Sequence, residues 1–425
     1  MKISSRLVPT RYTRGLAAGA WYSAAKIVPG VLMLLMVPLW IRLFGDAAYG
    51  LYSIAWTAAI LSGSLCVGWL RQSLLRYAGD EARALESVPR FVLMLAIGAS
   101  ALPAVGLTLP QLFESRGNTN LQLSVIAVIL FTISNSAYLI AQANLQREER
   151  ARSYATFESL RVGVALVASL ACSLLPSAPG DVVMLSSFVF STLLVLGVLR
   201  TGRRHRRKPP QTLEVARSMW AYGWPMSIWL ALSSALLFFD RLIIGFFLGT
   251  SDAGQYAAVS DLVVRGVGMV LFPITMIAHP RIMRAWNEGG SDAVGGALRS
   301  YTRAMAGTAV VVIIGAATGG TWIVELVLGF QVQDGALVPA LAAGAALWQV
   351  ALLAHKSLEI KNRTLVMAVI LGAVTAVSIF ANVILVPRIG MLAPPIVLIM
   401  SATMYIVAVR ILGSRLAAAQ SGGTR

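Results

Sequence analysis

The sequence predicts an all-α integral membrane protein of about twelve transmembrane helices in two six-helix lobes. Three observations carry that prediction: the composition, the recurrence of long apolar segments and the placement of positive charge. Of 425 residues, 57% are hydrophobic and only 12% are charged, about half the charged share of a soluble domain (roughly 25%). Apolar segments fall at about 17–40, 48–70, 91–113, 121–143, 154–175, 181–200, 218–248, 253–278, 304–324, 336–356, 364–386 and 391–411, each long enough to cross a bilayer. Nothing between them is large enough to build a soluble domain, so the chain is one membrane-embedded body.

The basic residues give the orientation. Twenty-nine of the 35 Lys and Arg are assigned to one side: the N-terminal tail, every second loop, with Arg161 in the first half of the fifth span grouped with the loop before it, and the C-terminal tail. The opposite side holds only Arg42, Arg116 and Arg388, and three more lie within spans. Positive charge collects on the cytoplasmic side of membrane proteins, which predicts cytoplasmic termini, an even number of spans and a bacterial inner-membrane location. The net charge of +17 therefore reads as topology and contact with anionic lipid, with no nucleic acid as partner. Basic residues precede a long apolar stretch without a small-residue cleavage site, which predicts an uncleaved first helix.

Each element has its own local reason. The basic segment 201–217, with RRHRRK at 203–208, separates an N-terminal half (1–200, helices 1–6) from a C-terminal half (218–425, helices 7–12). The seventh span is long, and Gly223 and Pro225 near its start predict a kink or an interfacial lead-in. A faint repeat links the halves. Phe44-Gly45-x4-Gly50-x-Tyr52 follows helix 1 and Leu248-Gly249-x4-Gly254-x-Tyr256 follows helix 7, at an offset of 204 residues. Glycine there can end one helix in a left-handed cap and begin a tight return. Parallel repeats of this kind, related by an axis along the membrane normal, occur in carriers that alternate access. Gly315-x3-Gly319 predicts helix packing. Trp40, Trp69, Trp220, Trp286 and Trp322, near predicted helix ends, predict interfacial belts.

No enzyme motif is present. Gly45-x4-Gly50 is followed by Leu51 and Tyr52, without the Lys and Ser/Thr of a phosphate-cradling loop. His205, His279 and His355 lack metal-ligand spacing, and Cys66 and Cys172 both fall in apolar segments, with no disulfide framework. No external loop exceeds about a dozen residues, too short for an enzyme that holds a glycan outside the membrane. The expectation is a carrier without cofactor, metal or ATP hydrolysis.

The chemistry lies in charges inside the bilayer: Lys26 in helix 1, Asp240 and Arg241 in helix 7, Asp261 and Arg265 in helix 8. Each costs roughly 2.5–3.5 kcal/mol unless it meets a partner or a wet cavity. Arg241 can face Asp261 across helices, and Asp261 can pair with Arg265 four residues along its own helix. Three cations face two anions, so one cation is left over. Lys26, Arg265 and Arg241 are therefore candidates for a cationic cavity that takes an anionic, phosphate-bearing substrate, and Asp240 and Asp261 are candidates for ion coupling. Asn135 and Gln142 in helix 4 read as interhelical hydrogen bonding ahead of contact with sugar hydroxyls.

Three segments carry a resemblance. PLWIRLFGDAAYGLYSIA (38–55), FFDRLIIGFFLGTSDAGQYAAVSDL (238–262) and VILVPRIGMLAPP (383–395) resemble the polysaccharide-biosynthesis flippases of the Wzx type. These belong to the multidrug/oligosaccharidyl-lipid/polysaccharide (MOP) superfamily, and the similarity runs in order over nearly the whole chain. It implies two six-helix lobes forming a V around a central cavity. It also implies movement of a polyprenyl-pyrophosphate-linked oligosaccharide from the cytoplasmic to the external leaflet, with membrane lipids and polysaccharide polymerase machinery as partners. Related lipid II flippases usually have fourteen helices and arginines in the first helix; twelve helices and Lys26 set this chain apart. Other expectations are a drug/cation antiporter of the same superfamily, whose cavity would be anionic, a lipid scramblase, and a membrane-embedded polymerase or ligase.

Overall fold

A computed structural model describes residues 11–76, 88–116, 120–174, 178–201, 211–360 and 364–422. Among these the chain is helical, without strands. Eleven stretches are long and apolar enough to cross a membrane, and the last, Leu365–Leu412, contains two helices that pack on one another. The result is the predicted twelve spans. They are α1 (Arg11–Phe44), α2 (Asp46–Arg76), α3 (Arg90–Ala99 and Ala101–Arg116), α4 (Leu121–Arg147), α5 (Ala151–Ser173) and α6 (Gly180–Thr201). In the second half they are α7 (Leu213–Phe238 and Asp240–Phe247), α8 (Thr250–Ala278), α9 (Val294–Leu328), α10 (Leu337–Ala354), α11 (Thr364–Ile389) and α12 (Ala393–Gly422).

The predicted loop between α8 and α9 is helical as well, so that Thr250–Gly315 runs as one hydrogen-bonded helix of 66 residues. It is not straight. Arg281 donates to the Tyr301 hydroxyl at 2.7 Å, whereas twenty residues of straight helix span about 30 Å. The chain therefore turns back between them, and α9 returns to place Val327 against Arg42 at the end of α1.

The kink predicted at Gly223 and Pro225 lies elsewhere. Leu213–Phe238 is continuous through both residues, and the break comes at Phe239. Gly223 serves close approach: a β-carbon there would stand 2.1 Å from the Trp69 carbonyl oxygen of α2. Gly315 and Gly319 also depart from expectation, since open space surrounds both and they flank or join a π-helical turn, Ala316–Gly320. Trp220 and Trp322 are exposed near helix ends as predicted, but Trp40 and Trp69 are buried. The Trp40 indole donates to Ser169 of α5 at 2.8 Å, which makes it an interhelical anchor. The Trp286 side chain and the RRHRRK segment lie outside the described residues.

The faint repeat is a structural fact. Gly45 and Gly249 both have positive φ, +80° and +95°, a conformation open to glycine and costly for other residues. Each turns the chain sharply into the next helix. Beyond them α2 and α8 cross at Gly50 and Gly254. A β-carbon on Gly50 would stand 1.9 Å from the Thr250 carbonyl oxygen, and one on Gly254 would stand 1.9 Å from the Asp46 carbonyl oxygen. Residue 46 is to 250 as 50 is to 254, so the contact is reciprocal about a pseudo-two-fold axis. Asp46 adds hydrogen bonds from Ser251 at 2.9 Å and Gln255 at 2.8 Å. The main apolar core surrounds this crossing and draws on both halves.

Candidate functional site

Four of the five predicted residues come together just below the α2–α8 crossing. Arg241 of α7 donates to Asp261 of α8 at 2.9 and 3.4 Å and to the Ser53 hydroxyl of α2 at 2.7 Å. Arg265 reaches the same carboxylate at 3.4 Å, one turn along α8, and the Tyr49 hydroxyl donates to it at 2.7 Å. The Arg241 and Asp261 side chains are only 4% and 7% exposed. A buried pair is tolerated when further hydrogen bonds support it; Ser53 supplies one to the Arg241 guanidinium and Tyr49 one to the Asp261 carboxylate, while the Arg241 Nε has no partner. Asp240 stands apart from the guanidinium groups: it accepts from the Tyr256 hydroxyl and from the Arg241 backbone N–H.

A crevice of about 10 Å³ opens beside this cluster, between Met33 and Val37 of α1, Tyr52 and Trp56 of α2, and Arg265. That is the room of about one water molecule, so the Gly50–Gly254 end of the interface is closed.

Lys26 is not part of the cluster. It belongs with Gly30, Met33 and Val37, at spacings of four, three and four that share one face of α1. Exposure rises along this face, from Val37 (4%) and Met33 (9%), through half-buried Gly30, to exposed Lys26. The facing helix repeats the gradient, from Asp261 (5%) through half-buried Arg265 and Phe272 to Met276 (36%). The interface of α1 and α8 is thus shut at the Gly50–Gly254 end and opens toward the basic end. Among the described residues Lys26 forms no ion pair; the charges near it are Glu158, which attracts it, and Arg71, which repels it. The leftover cation foreseen from the charge count is Lys26, on the open part of the stripe.

One functional candidate was hidden in the sequence. Arg161, counted with the basic loop before α5, lies inside α5 and is buried. It donates to Thr192 of α6 at 2.9 Å and to Asn135 of α4 at 2.8 Å, and its guanidinium sits 4.4 Å from the Tyr138 ring centroid. Beside it, Glu158 accepts from Tyr138 and, at 2.9 Å, from Gln142. Asn135 and Gln142 are therefore interhelical partners, as expected. A span that begins with basic residues gave no signal that its last arginine is membrane-deep.

A family model described as Polysaccharide biosynthesis protein matches residues 16–286, more than half of the chain. The chain belongs to the polysaccharide biosynthesis protein family. No curated protein matches it. Among solved structures, this family member is similar to an inward-facing multidrug resistance MATE family transporter of the MOP superfamily (15% identity, 96% of each chain covered, TM-score 0.62). It is also similar to the lipid II flippase MurJ in an inward closed conformation (12% identity, 91% of this chain and 86% of that one, TM-score 0.69). A third is a MOP superfamily transporter from Pyrococcus furiosus described by the reverse polarity of its binding pocket (14% identity, 95% and 94% covered, TM-score 0.55). At these identities the likeness concerns the fold: a multi-pass membrane protein with the architecture of MOP-superfamily transporters.

Proposed function

We propose that the protein is a flippase that carries a polyprenyl-pyrophosphate-linked oligosaccharide from the cytoplasmic to the external leaflet of the bacterial inner membrane, by alternating access. The observation that supports this most is Lys26: an unpaired cation on the open face of the central interface, in a chain of the polysaccharide biosynthesis family. The basic end faces the cytoplasm, as the charge distribution requires. The lipid tail stays in the bilayer while the polar head enters between α1 and α8. Lys26, with Arg71 nearby, holds the pyrophosphate. Arg265, half-exposed and with its Nε unsatisfied, meets the head when the crevice widens, and Arg241 stands behind it. Moving negative charge outward is downhill in an inside-negative potential, by about 2.3 kcal/mol per charge per 100 mV, so no nucleotide is needed. Polymerase machinery receives the product in the outer leaflet.

Of the two acids, Asp240 is the better proton carrier. Asp261 is committed to two arginines and Tyr49, whereas Asp240 has a tyrosine hydroxyl and a backbone amide. In proteoliposomes, Asp240→Asn is expected to remove any dependence of transport on a pH gradient; unchanged dependence would take Asp240 out of the mechanism. The drug/cation antiporter reading is less favoured because the uncompensated charge is positive.

The deciding experiment depletes the protein in its native host and locates lipid-linked oligosaccharides by leaflet. Complete units accumulating on the cytoplasmic face, with loss of surface polymer, are the expected result. Unchanged glycolipids and polymer would refute the proposal.

A further inference from the structure

A long cavity lies outside the central interface, on the face where α1 packs on α5. On α5, Ala155, Ser159, Gly163, Val167 and Ala171 succeed one another at intervals of four, and on α1 Trp21, Ala24 and Val28 face them, with Phe190 of α6 closing one side. Small residues along an i±4 row leave a trench where larger ones would leave a ridge. The trench has a volume of about 770 Å³ and is almost entirely apolar. At the basic end Arg152, exposed, places its guanidinium 5.7 Å from the Trp21 ring centroid.

Two properties define what fits. The sixteen helical steps from Ala155 to Ala171 rise about 24 Å, whereas one leaflet of the hydrocarbon core is about 15 Å deep. An ordinary acyl chain from the cytoplasmic leaflet fills little more than half of the trench; a chain that continues past the midplane fills all of it. The mouth, for its part, offers arginine, the side chain suited to phosphate oxygens, at headgroup depth. We propose that this trench holds the long isoprenoid chain of a polyprenyl phosphate, with the phosphate at Arg152. Resting on the flippase reading, it names the lipid half of the substrate and a docking place separate from Lys26, which faces the interior from the other side of α1.

The test uses the full chain in nanodiscs of phosphatidylethanolamine and phosphatidylglycerol, with a long-chain polyprenyl phosphate bearing a diazirine at the far end of its tail. The expected label falls on α5 between residues 163 and 171 and on α6 near Phe190. Unlabelled polyprenyl phosphate should displace it about tenfold better than phosphatidylglycerol does. Arg152→Gln should weaken polyprenyl phosphate by about fivefold and leave uncharged polyprenol unchanged. Gly163→Leu with Ala171→Phe, which fills the trench, should abolish the label; if that variant misfolds, the competition on the unaltered protein decides. Label spread evenly over lipid-facing helices, or displaced equally by phosphatidylglycerol, overturns the proposal. Labelling without an effect of depletion on glycolipid leaflets would retain the trench and sink the flippase reading; the opposite pair of results would do the reverse.

Discussion

The two ends of the central interface are made of different materials. At the Gly50–Gly254 end, two glycines let α2 and α8 cross with carbonyl oxygens where β-carbons would be, and Asp240, Arg241, Asp261 and Arg265 each have a partner. Toward the basic end, the same helix faces carry Lys26 and Met276, exposed and without an ion pair. The repeat sharpens the contrast. Shifting Asp240, Arg241, Asp261 and Arg265 back by 204 residues gives Met36, Val37, Thr57 and Leu61. The two halves share a backbone arrangement, but only the second is charged, so the crevice has an apolar wall from α1 and a charged wall from α7 and α8. The lesson is that membrane charge has two uses here. Paired and buried, it holds helices in register; single and open, it is available to a ligand.

Four measurements would break or sharpen that contrast. The largest effect is expected at the paired cluster. Arg241→Met leaves the buried Asp261 with only the longer contact to half-exposed Arg265 and the Tyr49 hydroxyl, and should cost about 3 kcal/mol; adding Asp261→Leu should recover at least half of the loss. Reversible unfolding in mixed micelles measures both, and equal stability of single variant and parent would show that the pair holds nothing together. Next comes the crossing. Gly50→Val must push backbone apart, at a cost of about 1–3 kcal/mol or more, and should lower the melting temperature and open the outer end. An unshifted melting curve would mean that the helices do not meet this closely. Lys26→Ala should behave in the opposite way, changing stability by no more than about 0.5 kcal/mol while weakening a pyrophosphate-bearing lipid by about tenfold, with Lys26→Arg close to the parent. Loss of stability without loss of affinity would make Lys26 structural. The smallest effect belongs to Asp46→Ala, which removes two hydrogen bonds at the rim, worth about 0.5–1.5 kcal/mol each. Spin-label distances between the outer ends of α2 and α8 should broaden; an unchanged distribution would leave closure to the glycines alone.

The places where sequence and structure diverge share a cause. Arg161 and Trp40 sit near helix ends in a linear reading, and end positions ordinarily read as interface. In space α4 and α6 face Arg161 and α5 faces Trp40, and Thr192, Asn135 and Ser169 supply partners that hydropathy cannot see. Gly223 and Gly315 show the same limit. A glycine in a span can mark a kink, a close approach or a lipid-facing turn, and only the neighbouring helix distinguishes these. Gly223 meets Trp69, while Gly315 meets nothing.

What the sequence by itself determined is everything that depends on local composition. Apolar length set the number of spans, and glycine spacing at an offset of 204 residues announced the repeat. The charge count over Lys26, Asp240, Arg241, Asp261 and Arg265 left one cation over, although it omitted Glu158 and Arg161, which also lie inside a span. Which cation it would be was a matter for the tertiary structure. Arg241 and Arg265 meet Asp261 because α7 and α8 bring them within hydrogen-bond distance, below a crossing that only glycine permits. Lys26 lies farther along the α1 face, exposed and beyond the reach of Asp261.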